Sequence, residues 1–211
     1  MGNTYLILDK FGNEVDQSLF PQVACQFEGS NSSVIIRSPR KIVKASFVLG
    51  DNCNIYIGEN IFIAENLYVW ATASGSTFKM EQNCWIQSLN VSLHDEPNLK
   101  ILIGKDCLFG SNNSIRSSDG HTIYDVVTNE ILNKPTDIIL HDHIWTGRNV
   151  EILKNSEIQS NSVIGMGSIV TKRFLEGNCV LAGRPAKIVK RGINWSFART
   201  DLFNQVDKNA K

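Results

Sequence analysis

Hydrophobic positions recur along this chain every six residues. From 140 to 175 it divides into LHDHIW, TGRNVE, ILKNSE, IQSNSV, IGMGSI and VTKRFL, whose first positions are Leu140, Thr146, Ile152, Ile158, Ile164 and Val170. The fifth positions, Ile144, Val150, Ser156, Ser162 and Ser168, are small or β-branched in all but the last block. A helix repeats its apolar face at three and four residues and a half-buried strand at two, so a period of six fits neither. It predicts a parallel β-helix, in which each hexapeptide is one short strand plus a turn and three hexapeptides close one triangular coil. The first residue of each block points inward and stacks on its equivalents about 4.8 Å away. Strand bodies pair with the coils above and below, so few backbone groups are orphaned.

The pattern extends upstream through Ile57, Ile63 and Val69, then Met80 and Ile86, then Ile103, Phe109 and Ile115. Gly50, Gly58, Gly104, Gly110, Gly147 and Gly165 each follow an inward residue, with Asn52, Asn60, Asn66, Asn149, Asn155 and Asn161 nearby. Both residue types suit corners because they tolerate positive φ. Two insertions break the rhythm, SLHDEPNLK at 92–100 and SSDGHTIYDVVTNEILNKPT at 117–136. A solenoid loses little by looping out a corner, since each coil contacts only its neighbours, and long loops in compact domains are often functional.

Residues 1–33 precede the array and predict short strands capping its open end, where a bare coil would present an edge. After 192, Ile193, Phe197 and Leu202 stand near helical spacing, which predicts a C-terminal helix over 193–211. The expected organisation is an all-β chain: cap strands, one β-helix domain over 34–192, and that helix.

Composition narrows the reading. A chain of 211 residues can bury a sizeable core in one domain. Lys plus Arg and Asp plus Glu both number 21, which points to no nucleic acid or other polyanion through net charge. Locally, 172–191 holds Lys172, Arg173, Arg184, Lys187, Lys190 and Arg191 against the single acid Glu176, a basic mouth suited to phosphates. The earlier cluster Arg37, Arg40, Lys41 and Lys44 reads as a solvated face. No apolar run approaches the roughly 20 residues that cross a bilayer, and the N-terminus has no signal-peptide pattern. The five cysteines are scattered, odd in number and without a Cys-x-x-Cys pair. They predict buried small hydrophobes in a reducing compartment, hence a cytoplasmic protein, and neither a disulfide framework nor a zinc site.

The hexapeptide array, WTGRNV at 145–150, and IGMGSIVTKRF with VLAGRPAKIVK across 164–190 together resemble the left-handed β-helix acyltransferases, a hexapeptide-repeat family that moves acetyl groups from acetyl-CoA. The resemblance covers about 34–192. The DGHTIYD loop is similar to that of sugar O-acetyltransferases of polysaccharide synthesis, and the whole chain resembles the capsular polysialic acid O-acetyltransferases. The resemblance implies a left-handed coil and acetyl-CoA as co-substrate without a metal. It also implies a capsular polysaccharide acceptor bearing sialic acid, and a homotrimer with active sites between subunits, in peripheral contact with capsule synthesis. It assigns catalysis to His121 and Trp145, and the acetyl-CoA site to Trp145, Gly147, Met166, Thr171, Lys172, Lys187 and Lys190. Three positions depart from the family pattern: Arg148, Arg184 before Pro185, and Met166 in place of alanine.

The chemistry agrees. A sugar hydroxyl is a weak nucleophile at neutral pH, and one histidine can take its proton and return it to the thiolate because its pKa lies near working pH. Gly120 hinges the loop that carries His121, and Asp119 or Asp125 is placed in sequence to orient the ring. The indole N–H of Trp145 can donate to an oxyanion. His94 reads as a surface residue of the shorter insertion, with a place in the acceptor cleft as the alternative. Rival readings are a γ-carbonic-anhydrase-like enzyme, which needs three histidines on zinc, a non-catalytic solenoid, and an acetyltransferase on another surface sugar or an amino sugar.

Overall fold

The computed structural model describes residues 2–203. Strands stack into three parallel faces, one strand of each face per coil. Face one carries Thr4–Leu8, Ser33–Arg37, Asn54–Ile57, Thr77–Met80, Lys100–Ile103, Ile138–Leu140, Glu157–Ile158 and Arg173–Phe174. Faces two and three join in a second sheet because the strands Phe62–Ala71 and Trp85–Ser92 bend round a corner, marked by a register shift between Ile63 and Asn66. Face two continues through Leu108–Phe109, Trp145–Thr146 and Val163–Ile164, and face three through Asn113–Arg116, Glu151–Leu153 and Ile169–Val170.

The inward residues form one unbroken column per face. Ile57, Met80, Ile103, Leu140, Ile158 and Phe174 lie in register on face one. Ile63, Ile86, Phe109, Thr146, Ile164 and Leu181 do so on face two. Val69, Val91, Ile115, Ile152 and Val170 fill face three. All are buried. The one hydroxyl among them, on Thr146, accepts from Asn113 Nδ2 at 2.6 Å, and Asn113 Oδ1 accepts the backbone N–H of Val150 at 2.8 Å, so the break in apolar character leaves no orphaned group.

Corners divide their work between two residue types. Asn52, Asn60, Asn149, Asn155 and Asn161 adopt φ between 53° and 64°, as expected, whereas Asn66 lies in a strand. The six glycines do not use positive φ; they are needed for close approach. A Cβ on Gly50 would lie 2.2 Å from the Thr72 carbonyl oxygen, and one on Gly147 would lie 2.7 Å from the Met166 nitrogen.

The ends differ from expectation in two ways. The N-terminal strands do not form a separate cap: Thr4–Leu8 pairs in parallel with Ser33–Arg37, and Val23–Phe27 with Ala45–Leu49, so they supply the first coil. At the other end an antiparallel hairpin, Cys179–Gly183 with Ala186–Arg191, closes face two. The helix expected over 193–211 does not form in 193–202, which run as an extended strap with bends and end in a turn at 200–202; residues 204–211 lie outside the described residues. The physical reason is Trp195. Its ring stacks on His143 at 4.1 Å and its indole N–H donates to the His143 carbonyl at 2.8 Å, which holds the chain extended against face two. All five cysteines are free thiols, four of them buried and Cys25 half-buried.

Candidate active site

Both insertions leave the corner between faces three and one, in successive coils, so the shorter loop is the floor on which the longer one rests. Arg116 links them. Its Nη2 donates to Asp95 Oδ2 at 2.9 Å and its Nε to the Ser118 carbonyl at 2.8 Å. Gly120 adopts φ of 82° directly above this pair, where a Cβ would lie 3.1 Å from Arg116 Nη2 and 3.2 Å from Asp95 Oδ1, so a side chain there would strain both backbone and contact. The loop then rises as an antiparallel arm with Tyr124 opposite Ile131.

His121 stands exposed at the foot of this arm. Its carbonyl accepts from Asn133 Nδ2 at 2.8 Å, which fixes the backbone and leaves the ring to face outward. The two acids expected to orient that ring do other work. Asp119 pairs with Lys154 Nζ at 2.6 Å and accepts from Asn133 at 2.9 Å; the Lys154 bond holds its carboxyl below the usual carboxylate range. Asp125 caps the turn at the tip of the arm, accepting from the backbone N–H groups of Val127 and Thr128 at 2.8 Å, and these bonds lower its pKa.

His94 departs from the expected surface residue. Its ring stacks on Trp70 from the preceding coil, at 3.8 Å and 9° between planes. Its Nδ1 is buried without a hydrogen-bond partner in the described residues. Burial lowers its pKa against the opposing pull of Asp95, whose Oδ1 lies 3.3 Å from Nε2, so the folded site favours the neutral ring. The signal that locates it lies in Trp70 and Arg116, each one coil away.

That shift has a consequence. The unfolded chain holds its His94 proton at the ordinary value of 6.5, and the folded chain holds it less tightly, so stability is complete above 6.5 and falls as pH drops through the lowered folded value. Wild type is expected to lose more melting temperature between pH 7.5 and 5.5 than the His94→Gln variant. A gap between the two proteins that stays constant over this window would contradict the assignment.

Trp145 projects from the outer surface of face two, 41% exposed. Gly147 follows the same strand, Trp145–Thr146, and beneath it Met166 stands 72% exposed at the corner between faces two and three, where the Gly167 N–H donates to the Arg148 carbonyl at 2.8 Å. Lys187 and Lys190 lie on the closing hairpin of face two. Thr171 and Lys172, in contrast, turn the corner between faces three and one, on the side of the His121 loop. The residues singled out from sequence therefore divide into two groups. One surrounds the His121 corner. The other lies on face two and its far corner, and face two is the side of the triangle opposite the His121 corner.

The strap adds a wall that the sequence reading missed. Trp195 sits 6.0 Å from Trp145, and together with Asn194, Arg199 and Phe203 it encloses a cleft of about 410 Å³ onto which Trp145 opens. The remaining histidines are occupied separately. His141 Nε2 contacts Glu157 at 3.0 Å, where Arg173 also binds, and His143 is covered by Trp195. No three His, Cys, Asp or Glu side chains converge as a metal site among the described residues.

No known protein-family profile matches the chain. Among curated proteins, the polysialic acid O-acetyltransferase of Neisseria meningitidis is 37% identical over 169 residues, 79% of this chain and 76% of that protein. The polysialic acid O-acetyltransferase of Escherichia coli O1:K1 / APEC is 41% identical over 101 residues, 48% of this chain; the matched segment spans only 32% of that protein. Among solved structures, the polySia-specific acetyltransferase NeuO superposes with a TM-score of 0.78 at 29% identity, covering 99% of this chain and 94% of that one. The polysialic acid O-acetyltransferase OatWY gives 0.53 at 26%, covering 99% and 96%. By sequence and by fold, the chain belongs to the hexapeptide-repeat, left-handed β-helix O-acetyltransferases.

Proposed function

We propose that this chain transfers the acetyl group of acetyl-CoA to a hydroxyl of sialic acid in a capsular polysaccharide, with His121 as general base. The observation that carries the reading is the 37% identity to the Neisseria meningitidis polysialic acid O-acetyltransferase across 79% of the chain. The imidazole of His121 takes the hydroxyl proton as oxygen attacks the thioester carbonyl. The C–O bond forms, the carbonyl carries an oxyanion, and on this reading the indole N–H of Trp145 donates to it. The C–S bond then breaks and the imidazolium returns the proton to the leaving sulfur. Lys187 and Lys190 offer positive charge to the CoA phosphates, the open backbone at Gly147 and Met166 gives the pantetheine arm room, and Lys172 and Thr171, on the corner that carries His121, meet the same molecule across a subunit boundary. The acceptor is made in the cytoplasm on this reading, beside the capsule machinery.

The working unit is a homotrimer. His121 and Trp145 lie on opposite sides of one coil, so a site that uses both takes His121 from one copy and Trp145 of the partner subunit. The arm beside His121 supports the same reading: its tip exposes Val126 and Val127 at 87% and 85%, apolar surface that a second copy would cover. Mixing inactive His121→Ala and Trp145→Ala chains during refolding is expected to restore about a quarter of wild-type activity, the statistical share of interfaces with both groups intact in a cyclic oligomer. Mixtures as inactive as their parents would place both groups in one chain. The chemistry itself is checked on the product: polysialic acid incubated with acetyl-CoA should gain acetyl groups that mild base removes. Acetyl groups resistant to base would indicate amide formation and overturn the hydroxyl assignment.

A further inference from the structure

The outward side of face two carries Phe62, Trp85, Leu108 and Trp145 in register, one per coil. Rungs lie about 4.8 Å apart, so Trp85 stands two rungs, about 10 Å, from Trp145. Phe62 and Trp85 form a tilted step with centroids 4.4 Å apart, and Trp85 is 37% exposed. The step floors a cleft of about 320 Å³ that Phe197 of the strap closes from above. The cleft's polar edge is preorganised. Asn60 Nδ2 donates to Asn83 Oδ1 at 3.0 Å, and Asn83 Nδ2 to Asp106 Oδ1 at 3.0 Å, so each amide has a fixed direction. Arg40 lines the cleft with its guanidinium 5.7 Å from the Phe62 ring centroid, and the Lys41 ammonium lies equally far from that ring. Neither cation joins an ion pair with an acid among the described residues.

We propose that this cleft is a second acceptor subsite, for an acidic sugar residue further along the same glycan chain. The inference rests on the proposed function. A pyranose ring has one face of C–H groups, which an aromatic step desolvates favourably, and hydroxyls at its edge, which Asn60, Asn83 and Asp106 meet as donors and acceptors. Its carboxylate fits the planar fork of Arg40, reinforced by Lys41. A neutral sugar leaves both cations unmet, so the subsite selects acidic polymers over neutral ones. Continuity with Trp145 gives it a purpose: a chain held at Trp85 presents a residue a few sugars away to the transfer site, which favours polymer over monomer. The basic cluster around Arg40, read from sequence as a solvated face, thus gains a specific partner through its position beside the aromatic step.

The test is a binding titration of polysialic acid chains into the full protein without acetyl-CoA, for wild type, Arg40→Gln, Arg40→Lys and Trp85→Leu. Trp85 points out of the coil, so leucine leaves the inward column intact; melting temperature and light scattering check fold and oligomeric state. Arg40→Gln and Trp85→Leu are expected to weaken binding about tenfold or more, the scale of one charge-assisted contact, with Arg40→Lys between them and wild type. A disialic acid, which cannot fill the cleft and the transfer site together with the intervening chain, should bind wild type more weakly than the long chains do. Unchanged affinity for the long chains, or no wild-type binding, would overturn the subsite; so would a changed oligomeric state in Trp85→Leu, which would make the cleft a contact between copies. Whether wild type also acetylates the chains decides the proposed function separately: binding that depends on Arg40 and Trp85 without transfer sinks that function and keeps the subsite.

Discussion

Replacing His121 with alanine is expected to lower acetyl transfer by about 10²–10⁴-fold, the usual contribution of a positioned general base. At about 1.4 kcal/mol per decade this is roughly 3–5 kcal/mol of transition-state stabilisation. The loss should fall on turnover. His121 stands exposed on a loop and contributes no side chain to the columns that hold the coils together, so melting temperature should stay at the wild-type value. None of the groups assigned to acetyl-CoA is the His121 ring itself: Thr171 and Lys172 share its corner but are carried by a later coil, and Gly147, Met166, Lys187 and Lys190 lie away from that corner, so affinity for CoA should persist. The loop's anchors also survive the substitution, because Asn133 binds the His121 carbonyl rather than its ring. Single-turnover kinetics with an equilibrium CoA titration separates these effects. Turnover near wild type in His121→Ala would remove this histidine from the chemistry.

The second large effect is on stability. Phe109 is fully buried, stacked between Ile86 and Thr146 in the face-two column. Phe109→Ala deletes the ring from a site whose neighbours are fixed by backbone ladders on three sides, so little collapse can fill the cavity. A cost of about 3–5 kcal/mol is expected, which for a chain this size lowers the melting temperature by roughly 6–20 °C. Since each coil contacts only its neighbours, hydrogen exchange should rise most across the strands of 85–116 and 138–153, the coils on either side of Phe109, and least across 33–57. A uniform rise over all coils would show that the solenoid opens as one unit.

The hexapeptide columns were legible because burial and spacing coincide: the residue that must point inward is the one the period marks, from Ile57 to Val170. Three features escaped for a common reason, contact across coils without period. The strap at 193–202 has apolar residues at near-helical intervals, but the stacking of Trp195 on His143 outweighs that weak propensity. The first coil has no hexapeptides because loop residues 9–22 separate its strands, so its parallel pairing shows only in space. His94 reads as polar surface until the coils set Trp70 and Arg116 on either side of it. The corner glycines were legible as special positions, with a different cause: Gly50 yields to the next coil's backbone rather than to a left-handed φ. At the site, His121 and Trp145 were visible as motif residues, whereas their separation on opposite sides of one chain is a property of the folded coil alone.

The central claim is acetyl transfer to a sialic acid polymer, and free-thiol release from acetyl-CoA tests it most directly, with polysialic acid and a neutral glycan offered in parallel. The account predicts release that polysialic acid stimulates, that the neutral glycan leaves at the basal rate, and that His121→Ala abolishes. Release equal with both glycans, or with neither in a protein that still binds CoA, would contradict it.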